Sequence, residues 1–145
     1  MKKLTFVLEN YLEAIYELSR DGSGARVTDI ADKLKVTKAS TNRAMASLAQ
    51  KGLIRNERYR VIHLTPEGLE QAEFTSRKHH TIRRFFIGVL GIDAEVADQD
   101  ACAIEHVISC QSVFAMLKYL ESFEPKTLSG NEDNSIRNCG ENKIE

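Results

Sequence analysis

Cysteine, long apolar runs and net charge are all scarce in this 145-residue sequence. There are three cysteines, Cys102, Cys110 and Cys139. Their odd number and irregular spacing exclude a disulfide scaffold and fit a reducing compartment. No apolar run approaches the ~18 residues that a membrane span requires. The apolar start of the chain is interrupted by Glu9 and Asn10, and no small-residue cleavage site follows, so it does not read as a signal peptide. A cytoplasmic protein without a membrane partner is expected. Hydrophobic residues make up 42% and charged residues 28%, the balance of a globular chain rather than a disordered one. The net charge of −1 averages two unlike halves. Residues 1–84 hold 16 Lys and Arg against 10 Asp and Glu, and residues 85–145 hold 4 against 11. A basic front and an acidic back point to a polyanion as partner of the front.

The order of elements sharpens that reading. Apolar residues Leu8, Tyr11, Leu12, Ile15, Tyr16 and Leu18 recur at helical spacing over residues 6–20. The loop Asp21-Gly22-Ser23-Gly24 follows. Thr28 is expected to cap a second helix that buries Ile30, Ala31 and Leu34. After Lys35-Val36, Thr37 caps a third helix running to Lys51, with Gly52 as its left-handed stop. The β-prone segments 53–57 and 59–64 read as a hairpin bent near Glu57-Arg58. Thr65-Pro66-Glu67 opens a long helix over residues 66–90, buried through Leu69, Ala72, Ile82, Phe85, Phe86 and Val89. Two more helices are expected at 94–109 and 112–124, and a polar, disordered tail at 125–145.

Two short helices joined by a tight turn, followed by a basic hairpin, have the layout of a winged helix-turn-helix. The third helix buries Ala44, Met45 and Leu48, which turns Lys38, Ala39, Ser40, Asn42 and Arg43 outward at its amino-terminal end. A helix of this size fits the major groove of double-stranded DNA and reaches base edges with its first residues. Asn42 suits adenine, Arg43 guanine and Ala39 a thymine methyl. Thr37 and Ser40 suit phosphate at the helix N-terminus. Arg55, Arg58 and Arg60 place the hairpin on the backbone or in the minor groove. For any one of these residues the alternative is an ordinary solvated face.

A second constellation lies in the acidic half. Cys102, Glu105 and His106 stand at i, i+3 and i+4, so on one helix they share a face. His79 and His80 lie on the long helix upstream, and Glu13 on the first helix. Sulfur, nitrogen and oxygen donors together suit a transition metal. The alternative is a small buried Cys102 beside a hydrogen-bonded Glu105–His106 pair. Cys110, Cys139, His63 and His80 belong to no evident site.

The segments 9–18 and 26–34, Leu64-Thr65-Pro66-Glu67-Gly68, Arg77-Lys78-His79 and Cys102-Ala103-Ile104-Glu105-His106 resemble, in order over residues 6–123, the diphtheria-toxin-repressor family of metal-dependent transcription regulators. In length the chain is similar to the two-domain manganese transport regulators of that family. The resemblance implies a mainly α fold: a winged helix-turn-helix DNA-binding domain over 1–70 and an all-helical dimerisation and metal-binding domain over 71–124. It implies a homodimer on a palindromic operator, activated by Mn2+ or Fe2+, with no catalysis and no small-molecule substrate. By motif, His79, Glu105 and His106 match ligand positions. Cys102 matches the thiol of the iron branch and Glu13 a ligand of the manganese branch. Asn10 stands where relatives carry an acid or a methionine. Arg83 and Asp98 replace an acid and a histidine of a second metal site, and the arginine argues against that site. One alternative is a metal-independent winged-helix regulator with a decayed metal site. Another, a hydrolase built on Cys102, Glu105 and His106, leaves the basic hairpin without a role.

Overall fold

The computed structural model describes residues 2–57 and 61–123. Arg58 and Arg60, Cys139 and the tail expected over 125–145 lie outside the described residues. The chain divides into two compact units, Met1–Glu73 and Phe74–Glu145.

The first unit contains α1 (Phe6–Leu18), β1 (Ala25–Arg26), α2 (Val27–Leu34), α3 (Lys38–Gln50), β2 (Ile54–Glu57) and β3 (Val61–Leu64). The strands form an antiparallel sheet in the order β1-β3-β2, with Ala25 opposite Ile62 and Ile54 opposite Leu64. The apolar stripe of α1 delivers Tyr11, Leu12 and Ile15 into a core shared with Ile30, Met45, Leu48, Leu53 and Ile62.

The turn between α2 and α3 sets the angle of the helix pair. Lys35 adopts φ 55°, the left-handed region, at the end of α2. Its N–H donates to the Asp32 carbonyl, and the Val36 N–H donates to the Ala31 carbonyl. This is the Schellman geometry that usually employs glycine. At the end of α3, Gly52 at φ 72° repeats it, with the Leu53 N–H on the Leu48 carbonyl. Thr37 begins α3 in an extended conformation, and its Oγ1 accepts from the Ser40 N–H at 3.1 Å. Thr37→Ala should therefore lower stability by ~1 kcal/mol in urea unfolding, with Thr37→Ser close to the parent.

The second unit holds most of α4 (Pro66–Gly88), which begins in the first, together with α5 (Ala94–Ile104) and α6 (Cys110–Phe123). Phe74, Ile82, Ala101, Val113 and Leu117 form its core. Thr65 caps α4, accepting from the Gly68 N–H at 3.1 Å while donating to the Gly52 carbonyl at 2.7 Å.

Three sequence expectations are corrected. Thr28 does not cap α2: the cap position is Arg26, which supplies no side-chain cap hydrogen bond. Arg26 is paired to Val61 in β1, so the chain passes directly from strand to helix. That two-residue strand is too short to give a sequence signal. Leu69 is exposed, because the buried side of α4 is instead Gln71, Ala72, Thr75, Lys78, Thr81 and Ile82. Finally, α5 ends at Ile104 and α6 starts at Cys110, so the expected helix over 94–109 is cut short by a turn at Glu105.

Candidate nucleic-acid interface and metal centre

On α3, Thr41, Ala44, Met45 and Leu48 are buried. The 3.6-residue period then leaves Lys38, Ala39, Ser40, Asn42 and Arg43 exposed. Arg55 is exposed on β2. The hydroxyl of Thr37 is engaged in the cap and also donates to Ser40 Oγ at 3.0 Å. No acidic residue occupies the first turn of α3, so its positive helix end is not neutralised from within. The surface can accept phosphate and offer an amide and a guanidinium to base edges.

The second unit gathers a different chemistry. Glu105, the C-cap of α5, is wholly buried. Its Oε2 lies 2.8 Å from His79 Nδ1 on α4, and its Oε1 lies 3.1 Å from His106 Nε2. A carboxylate cannot be buried without partners that compensate for lost hydration, and the His79 imidazole serves that purpose at Oε2. Lys78, one residue before His79 and also buried, donates from Nζ to the Glu105 carbonyl. Adjacent residues of α4 thus hold the side chain and the main chain of Glu105. The other edge of His79 faces α5, with Nε2 3.1 Å from Asp98 Oδ1.

This setting pushes the His79 pKa up to about 9. The hydrogen bond to Glu105 is the main cause, partial burial opposes it, and Asp98 adds to it. At neutral pH His79 therefore carries both ring protons and donates one to each carboxylate. Arg83 Nε lies 3.2 Å from Asp98 Oδ1.

Of the residues named from sequence as metal ligands, the second unit brings together His79, Glu105 and His106. Glu105 keeps a helical backbone conformation, with its N–H on the Ala101 carbonyl, and so continues the buried line of Ala97 and Ala101. Cys102 is exposed in the last turn of α5, whereas Glu105 is buried beyond its end. Asn10 and Glu13 are half-buried on α1, three residues apart. Sequence reasoning missed Lys78 as a part of this site. Its only signal was a lysine falling on the buried side of the long helix. One carboxylate with two imidazoles is a donor set that fits a divalent first-row metal.

Fold and site together define a winged helix-turn-helix DNA-binding protein with a helical second unit that carries carboxylate and imidazole donors. Residues 3–62 match the N-terminal DNA binding domain of the iron dependent repressor, and residues 65–127 match its metal binding and dimerisation domain. The chain belongs to this family of metal-dependent, DNA-binding repressors. It is 30% identical over 120 residues to an uncharacterised HTH-type transcriptional regulator of Methanocaldococcus jannaschii, covering 82% of this chain and 96% of the relative. It is 33% identical over 115 residues to the transcriptional regulator MntR of Salmonella typhimurium, covering 79% and 73%. The solved structure of the manganese regulator SloR superposes with a TM-score of 0.70 at 28% identity, covering 83% of this chain and 55% of that one. The chain spans about half the length of the diphtheria toxin repressor of Corynebacterium glutamicum, which it also matches. Among the described residues, no helix is long and apolar enough to cross a membrane.

Proposed function

We propose that the chain acts as a homodimer that binds a palindromic operator in response to a divalent transition metal, Mn2+ or Fe2+, and serves metal homeostasis. The observation that carries the reading is the buried Glu105 carboxylate between His79 Nδ1 and His106 Nε2, at 2.8 and 3.1 Å. His79, Glu105 and His106 would hold the ion. Asn10, Glu13 and Cys102 join the set by sequence resemblance. A bound cation supplies positive charge and coordination bonds to this buried carboxylate. Manganese is favoured by the function of relatives such as the manganese regulator SloR. Exposed Leu90, Val96, Val107, Tyr119 and Phe123 give the second unit apolar surface suited to a second copy.

Lys38, Ala39, Ser40, Asn42 and Arg43, with Thr37 and the wing arginines Arg55, Arg58 and Arg60, form the proposed DNA surface. Linkage requires that metal and DNA strengthen each other's binding by the same factor.

The test uses labelled duplexes selected from a random pool with Mn2+ present, followed by anisotropy. Tight binding with Mn2+ or Fe2+ and loss of most affinity on chelation are expected. Equal binding with and without chelator would overturn metal dependence and favour the metal-independent regulator. Arg43→Ala should weaken binding to the selected duplex by ~1–3 kcal/mol while leaving Mn2+ uptake by calorimetry unchanged.

A further inference from the structure

His79 is held at both edges by carboxylates of unequal character. Nδ1 points to Oε2 of the wholly buried Glu105 at 2.8 Å, and Nε2 points to Oδ1 of the exposed Asp98 at 3.1 Å. Asp98 is itself held: Arg83 Nε approaches the same oxygen at 3.2 Å. Residues 79 and 83 are four apart on α4, so they rise on one face and meet Asp98 of α5 together.

A histidine that binds a metal must give up one ring proton, and its two nitrogens are not equivalent once the surroundings are fixed. An ionised aspartate accepts hydrogen bonds and donates none. Glu105 holds Nδ1 more closely in the metal-free protein, but a carboxylate serving as a ligand would give up that hydrogen bond. Asp98, outside the ligand set, would then keep the proton on Nε2 and leave the Nδ1 lone pair for the ion. Arg83 orients this aspartate. Exposed ion pairs of the Arg83–Asp98 kind add little to stability, so the arrangement acts on orientation more than on folding.

We propose that Asp98, oriented by Arg83, is a positioning residue that fixes His79 as its Nε2–H tautomer and presents Nδ1 to the metal. The proposal rests on the reading of His79 as a ligand. It assigns a role to two residues outside the proposed ligand set. Outer partners of this type commonly change metal affinity 10–100-fold when removed.

The test uses the full chain with 15N-labelled histidine, Zn2+ as a diamagnetic probe, and calorimetry in buffers of different ionisation enthalpy to correct for released protons. In the parent, Zn2+ should shift His79 Nδ1 and leave the proton on Nε2. Asp98→Ala should weaken proton-corrected Zn2+ affinity ten- to a hundredfold and scramble the His79 tautomer. Asp98→Asn, whose amide oxygen still accepts, should restore most of both. Urea unfolding of the metal-free variants at pH 10, where His79 is largely neutral and its pairing with Asp98 no longer contributes, should stay near the parent, which separates positioning from a structural role. Zn2+ on Nε2 in the parent, or unchanged corrected affinity in Asp98→Ala, overturns the proposal and leaves the ligand reading intact. His79 resonances unmoved by saturating Zn2+ overturn the ligand reading and the proposal with it.

Discussion

Gly68→Ala should destabilise the first unit by roughly 3 kcal/mol or more, although glycine to alanine inside a helix normally stabilises by up to about 1 kcal/mol. Gly68 lies in the first turn of α4, buried against the end of α3 and the start of β2. A Cβ built there would stand 1.9 Å from the carbonyl oxygen of Leu53 and 2.9 Å from its carbon. Both are backbone atoms, so no rotamer change relieves the clash. The same carbonyl accepts from the Thr65 N–H at 3.0 Å. Moving it aside would break the hydrogen bond that seats the start of α4. Overpacking thus outweighs helix propensity. Gly88, at the other end of α4, is the control: a Cβ there meets nothing within 4 Å. Gly88→Ala should be neutral or stabilising by up to about 1 kcal/mol. Urea unfolding of the two variants checks the contrast, and equal effects would refute the packing argument.

The contrast also marks what sequence could reveal. The helix-turn-helix was legible because its signals are local. Thr37 is a capping residue, Gly52 a left-handed stop, and Ala44, Met45 and Leu48 follow the helical period. Their burial leaves residues 38, 39, 40, 42 and 43 on the outside, as the period requires. The turn at Lys35 was less legible because a lysine occupies a conformation that normally selects glycine. Strand β1 depends on pairing with β3, a long-range event that two residues cannot announce. The buried side of α4 was misplaced at Leu69 because four of its buried positions, Gln71, Thr75, Lys78 and Thr81, are polar. Polar burial breaks the apolar periodicity on which such readings depend. For the metal centre, residue types and motif spacing identified His79, Glu105 and His106. Glu105 faces α4 because it continues the phase of the buried Ala97 and Ala101 of α5; what the sequence did not announce is that α5 ends there. Where a helix stops depends on tertiary packing, and the sequence around residues 104–109 contains neither proline nor glycine to mark it.

The coupling of His79 to Glu105 should make the metal-free protein lose stability as the solution becomes alkaline. The folded-state pKa of about 9 exceeds the ordinary value of 6.5. A raised histidine pKa contributes stability that is fully present below pH 6.5 and disappears as pH rises through about 9. At ~1.4 kcal/mol per pKa unit, the contribution is roughly 3 kcal/mol. His79 is only 22% exposed, so solvent screening reduces this modestly. Urea unfolding of the metal-free parent between pH 6 and 10 should show the decline, and His79→Gln should lack that component because its amide does not titrate. A metal competes with the same proton. Mn2+ affinity should therefore rise close to tenfold per pH unit between pH 7 and 8, with about one proton released per ion. His79→Gln should flatten that slope as well as weaken binding. Identical pH slopes in parent and variant would mean that another group releases the proton. The direction matters for the proposed activity: at neutral pH the proton on His79 stabilises the metal-free fold and opposes the ion.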